Sequence, residues 1–171
     1  MNKESIEQLL RQLLEEQHWQ LRRVFGFPPL FMRQLTVSPF YLPRIVRRSS
    51  DLYFVDGYIG MIHQKFEQLW GSLTNYKTER NSFALALNTA NISAVANRAY
   101  IHSCDFDSDI RELCLAVANM LERLPHDELS LRSSFEHFNL GGISLDKFGP
   151  PLASENKFNK LKTFVLSAPN P

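Results

Sequence analysis

Leu52-Tyr53-Phe54-Val55-Asp56-Gly57-Tyr58-Ile59-Gly60-Met61-Ile62-His63-Gln64-Lys65-Phe66-Glu67-Gln68-Leu69-Trp70 admits two readings, and the fold turns on the choice. Asp56-Gly57 between two apolar runs is a hairpin signal, because such a dipeptide takes the positive φ angles of a tight turn. Against this, Ile59, Ile62, Phe66, Leu69, Trp70 and Leu73 recur at three and four residues, as on one face of a helix. Asp56 then becomes a candidate helix cap. Six consistent positions outweigh one dipeptide, so the reading is a strand over 51–55 followed by a helix over 58–73.

On the N-terminal side, Ile6, Leu9, Leu10, Leu13, Leu14, Leu21, Val24 and Phe25 predict a first helix, with a gap in the stripe at Gln17 and His18. Ser5 with Gln8 forms a capping box, and Asn2 would cap equally well. Gly26 and Pro28-Pro29 end that helix. Pro28, Pro29, Pro39 and Pro43 divide the segment 26–50 into a helical turn near 30–35 and an extended piece over 44–48. On the C-terminal side, the alternation over 82–87 predicts a strand, with a turn at 88–91 and a partner strand over 95–103. Helices come next over 108–124 and 127–138, the second stopped by Gly141-Gly142. A last helix carries Phe158, Leu161 and Val165 inside and Lys157, Lys160 and Lys162 outside.

The sum is an α+β chain: a three- to four-stranded antiparallel sheet packed with four to five helices. Residues 1–166 are expected as a single globular domain and 167–171 as a frayed tail. With 171 residues, 44% of them apolar and 13 phenylalanines, the chain has enough large side chains for one core. Its two cysteines, Cys104 and Cys114, read as reduced thiols. No apolar window reaches the length of a membrane span, and the charged N-terminus lacks a signal-peptide pattern. The expected setting is the cytoplasm, with no membrane partner.

Charge is distributed unevenly. Between Gln17 and Ser50 lie Arg22, Arg23, Arg33, Arg44, Arg47 and Arg48, with no Asp or Glu and with Phe27 and Phe31 interleaved. Arginine suits carboxylates, phosphates and aromatic faces. Two internal uses compete with a partner for these side chains. Arg22 and Arg23 suit the negative end of the first helix, and the span 99–149 carries nine acidic against four basic residues.

Tests for chemistry are mostly negative. Asp105, Asp107 and Asp109 open like a calcium loop, but Ile110 stands where glycine is needed and Ala116 where the bidentate glutamate is needed. Acids there suit a helix start. His102, Cys104 and Asp105 supply two candidate metal ligands at most, and a Cys–His pair without an orienting group or oxyanion donors is incomplete. No phosphate loop, dinucleotide fingerprint or nucleophile elbow is present. The expectation is a protein that is not an enzyme and needs no cofactor or metal.

In general type the chain resembles an immunity protein, the small cytosolic inhibitor that neutralises a cognate bacterial toxin. The resemblance lies in its size, its oppositely charged regions and the lack of a reaction constellation. It implies a one-to-one complex with a protein partner, a toxin, docked through one of two surfaces. One is Arg22, Arg23, Phe27, Phe31, Arg33, Arg44, Arg47 and Arg48; the other is Asp105, Asp107, Asp109 and Glu112. The acids suit the phosphate-binding site of a nuclease toxin, whereas the arginines suit an acidic partner. The alternative is an RNA- or nucleotide-binding accessory protein that uses the arginine–aromatic stretch 17–50. Replacing Arg44, Arg47 and Arg48 together is expected to abolish partner binding and leave the fold intact.

Overall fold

The computed structural model describes residues 1–24, 27–73, 82–89, 99–148 and 154–169. Phe25, Gly26 and the sequence expectations for 90–98, 149–151 and 170–171 lie outside the described residues. In chain order the elements are α1 (Lys3–Glu16), β1 (Gln20–Arg22), β2 (Leu30–Met32), β3 (Val37–Arg47), β4 (Leu52–His63), α2 (Gln64–Leu73), β5 (Leu85–Asn88) and β6 (Ala99–His102). They are followed by α3 (Phe106–Arg123), α4 (Glu128–Glu136), the two-residue strands β7 (Asn139–Leu140) and β8 (Ile143–Ser144), and α5 (Glu155–Ser167). The α+β class stands; among the described residues the main sheet has six strands rather than three or four.

The stretch 52–70 follows neither reading. It is one continuous strand as far as His63, and the helix begins only at Gln64. Asp56-Gly57 makes no turn: Asp56 lies opposite Arg44 and Gly57 opposite Pro43 in an unbroken antiparallel register with β3. The physical reason is burial on both sides. Residues 53–57 and 59–63 are all buried, and a strand covered on both faces loses alternation and imitates a helical stripe.

β4 is the axis of the sheet. β3 covers one edge along its whole length, while the other edge is shared by β5, opposite Tyr58–Met61, and β6, opposite Leu52–Val55. Among the described residues the expected pairing of 82–87 with 95–103 is not seen; β5 and β6 each pair with β4 instead. On one face, odd-numbered side chains such as Tyr41, Val55, Ile59 and Leu85 join Ile6, Leu10 and Leu14 of α1 and Ile110, Val117 and Leu121 of α3 in the main core. On the other face a smaller cluster forms from Leu30, Met32, Phe40, Ile62, Phe83 and Ala86.

α1 stops a full turn and more before the sequence reading. Asn2 caps it, accepting from Ser5 N at 2.8 Å. At the other end His18 takes φ 66, while Trp19 N donates to Leu14 O and His18 N to Glu15 O, both at 2.9 Å. This paired closure is a Schellman stop with a histidine in the left-handed position. Leu21 belongs to β1, so Arg22 and Arg23 do not sit at the helix end. β2 replaces the expected turn at 30–35, and the extended piece at 44–48 is the far half of β3. Gly141 and Gly142, at φ 62 and 88, form the β7–β8 turn; α4 has already ended at Glu136. Lys157 departs most from expectation, being fully buried rather than outside.

His63 joins β4 to α2. It is 2% exposed, its Nδ1 accepts the Phe66 backbone N–H at 3.4 Å, and its ring meets the Phe164 ring edge-on at 5.2 Å. Burial holds its pKa below the ordinary histidine value, with Glu128 opposing. A histidine depressed on folding contributes stability that is complete above about pH 6.5 and is lost as pH falls towards the folded-state pKa. Denaturant midpoints measured from pH 8 down to pH 5 are expected to fall for the wild type, with a slope no steeper than about 1.4 kcal/mol per pH unit for one proton. A His63→Gln variant keeps an acceptor without a titrating proton and should flatten that slope; an unchanged slope assigns the acid sensitivity elsewhere.

Candidate functional site

The arginines divide into two groups. Arg44 lies directly across from Asp56 and grips it with both arms of its guanidinium, Nε to Oδ1 at 2.7 Å and Nη2 to Oδ2 at 2.6 Å. Asp56 is fully buried and Arg44 half exposed. A bidentate pair of this kind is a structural clasp. Alanine at 44 would strand a buried carboxylate, so the triple replacement that includes Arg44 does not separate binding from folding. Arg33 is also engaged. Its guanidinium lies 4.1 Å over the Trp19 ring, donates to Gln17 O at 3.1 Å and pairs with Glu122 of α3.

The other four arginines, Arg22, Arg23, Arg47 and Arg48, are exposed, and none forms an ion pair among the described residues. Arg22 bonds the Gln20 side chain, and Arg47 Nε donates to Ser49 O at 3.1 Å. Arg48 lies 5.2 Å over the Phe54 ring, which in turn sits 5.8 Å from the half-exposed Tyr100 ring. The two aromatics of the sequence reading are placed differently. Phe31 is 2% exposed and belongs to the main core, so it offers no contact area. Phe27 is half-buried at the end of a stack, 4.4 Å from Phe83, which lies 4.4 Å from Phe40.

The fold also sets the distances between these charges. Arg22 faces Leu30 across the β1–β2 ladder, and continuing the β2–β3 register puts both level with Leu42. Arg47 lies five residues further along β3, about 16 Å at the usual strand rise. Arg22 shares the face of Leu30 and Leu42, whereas Arg47 has the parity of Ile45, so the two lie on opposite faces of the sheet. A groove of about 720 Å³ is lined by Leu21, Leu42, Pro43 and Ile45 over the buried Leu10 and Phe31, and rimmed by Lys3, Glu7, Arg11 and Arg44; none of the four exposed arginines lines it, and Arg23 borders a separate cavity with Val24, Met32 and Gln64.

The acidic candidates converge on the same end of the sheet as Arg47 and Arg48. Leu52 pairs with His102, and Ser103 N donates to Asp51 O at 3.0 Å, so the β3–β4 turn abuts the start of α3. There Asp109 accepts from His102 N at 2.9 Å, and Asp107 holds Arg111 at 2.6 Å. Asp105 accepts from the Cys104 thiol at 3.2 Å, and Glu112 is exposed. The two surfaces that the sequence separates by more than fifty residues therefore meet at one tip. Cys104 is exposed, and the neighbouring carboxylate raises its thiol pKa. That is the wrong direction for a thiolate nucleophile.

What the sequence did not reveal is the open flank itself and the partition of the six arginines. No local signal carries either, because both follow from where β2 stops along β3. Among the described residues no helix is long and apolar enough to cross a membrane. No family model, curated protein or solved structure matches this chain.

Proposed function

We propose that the protein is a non-catalytic binding module that inhibits a protein partner, in the manner of an immunity protein acting on a toxin, and that it docks through the basic flank of its sheet. The supporting observation is the split among the arginines: two are consumed by internal carboxylates, while Arg22, Arg23, Arg47 and Arg48 stay exposed with no ion pair among the described residues. Exposed cations without internal counter-ions steer and orient a complementary partner. They suit an acidic protein surface.

The test is capture from native cytosol, with and without nuclease, using wild-type protein and an Arg22→Ala, Arg23→Ala, Arg47→Ala, Arg48→Ala variant. The wild type is expected to retain one protein partner after nuclease treatment, and the purified partner's activity should fall on adding it. The variant should bind that partner at least about tenfold more weakly. Its denaturant midpoint should stay close to wild type, since each change is at an exposed site. Capture that disappears with nuclease would favour the RNA-binding alternative, and undiminished binding by the variant would remove the basic flank from the function.

A further inference from the structure

The flank is open because β2 cannot extend beside β3. Leu30 lies level with Leu42, and the residues before it are Pro29 and Pro28, opposite Pro43 and Arg44 by continuation of the register. Proline has no N–H to give to a ladder. β3 runs five residues beyond Leu42, to Arg47, with β4 on one side and no paired strand on the other among the described residues.

Ladder parity tells which groups that leaves. Arg48 N donates to Leu52 O at 3.0 Å, so even-numbered residues of β3 bond β4 and odd-numbered ones point away from it. Pro39 and Pro43, which have no N–H to donate, are both odd, as that parity requires. Past Pro43 the outward set is the Pro43 carbonyl and the N–H and C=O of Ile45 and Arg47. No backbone hydrogen bond reaches Ile45 or Arg47 from that side among the described residues. Natural sheets seldom leave such a row uncovered.

We propose that this edge accepts an extended, acidic segment of the partner as an added strand. The inference rests on the protein-binding reading and specifies how that binding is made. Backbone bonds to Ile45 and Arg47 would supply register, as in other strand-addition complexes. Side chains on the helix face of the added strand would enter the groove over Leu10, Leu21 and Ile45, which calls for apolar residues there. The alternate side chains, close to Arg48 and the exposed edge of Arg44, would be Asp or Glu, since residues 17–50 carry six arginines and no acid.

An acetylated, amidated octapeptide of alternating glutamate and valine is the probe, compared with the same peptide N-methylated at alternate residues along one edge. Anisotropy should show the unmodified peptide binding at least about tenfold more tightly, and saturation should slow exchange of the Ile45 and Arg47 amides by at least about tenfold. Arg47→Pro should weaken binding more than Arg47→Ala, because both lose the charge and only one loses the outward N–H. Equal binding of the two peptides, equal effects of the two substitutions, or no binding at about 1 mM peptide would each overturn strand addition. So would competition by oligouridine, or concentration-dependent protection of both amides without peptide, which would mark a second copy as the occupant. If the edge test fails while the four-arginine variant still loses the captured partner, the inhibitor reading stands with docking through side chains. If that variant binds undiminished, the reading itself has failed.

Discussion

Replacing Lys157 with methionine is expected to cost about 3 kcal/mol and lower the melting temperature by about 10 °C, although the residue lies in a helix that reads as a solvent-facing lysine stripe. Its ammonium is fully buried, donating to Glu67 Oε2 at 2.7 Å and to the Ser82 carbonyl at 2.6 Å, with the Phe27 ring 5.3 Å away. Burial pulls the lysine pKa down and pushes the Glu67 pKa up, each opposed by the other's charge. Neither charge is comfortable there, and each is worse without its partner. Methionine fits the volume but leaves Glu67 and the Ser82 carbonyl without this donor. The discriminating measurement is a double-mutant cycle by denaturant unfolding. Lys157→Met with Glu67→Leu should recover more than half of the loss, because a packed apolar pair replaces a buried ionic one. A single mutant within about 0.5 kcal/mol of wild type would show that the ammonium does not hold α5 to α2 and to the segment that precedes β5.

Gly60→Ala is expected to destabilise by at least about 3 kcal/mol, the upper end for overpacking. A methyl group at Gly60 would land on the Leu85 carbonyl oxygen and 2.9 Å from both the Leu85 carbonyl carbon and Phe40 Cε1. The obstacle is mostly backbone, which cannot rotate away, and the stacked Phe40 ring is fixed by Phe83. Gly71→Ala in α2 is the control. Among the described residues nothing lies within 4 Å of the added methyl there, and alanine raises helix propensity by about 0.5–1 kcal/mol. Unfolding midpoints should therefore move in opposite directions. A Gly60→Ala protein as stable as wild type would mean that β4 and β5 are not packed this closely.

These two positions also mark where sequence reading stopped. Glycine at 60 lies in a stretch whose apolar spacing fits a helix, and only the approach of β5 explains its missing side chain. Lys157, Leu161 and Val165 fall at four-residue intervals, one face of α5, and all three are buried. The spacing was visible, but a lysine on an apolar face passes for a solvated neighbour until Glu67 arrives from ninety residues away. The arginines behave alike. Six cations in one acid-free stretch were plain to see; that Arg33 would find Glu122 and Arg44 would find Asp56 was not.

From the chain alone came the α+β class, the body of α1, α3, α4 and α5, and the polarised charge, with Asn2 as one of two candidate caps for α1. Each is written in contacts between residues three or four apart, or in composition. Tertiary structure decided that residues 52–63 form one continuous strand, that β5 and β6 share its edge, and which arginines remain available. Those outcomes depend on pairing between distant segments and on burial from both sides. No periodicity within a short window records either.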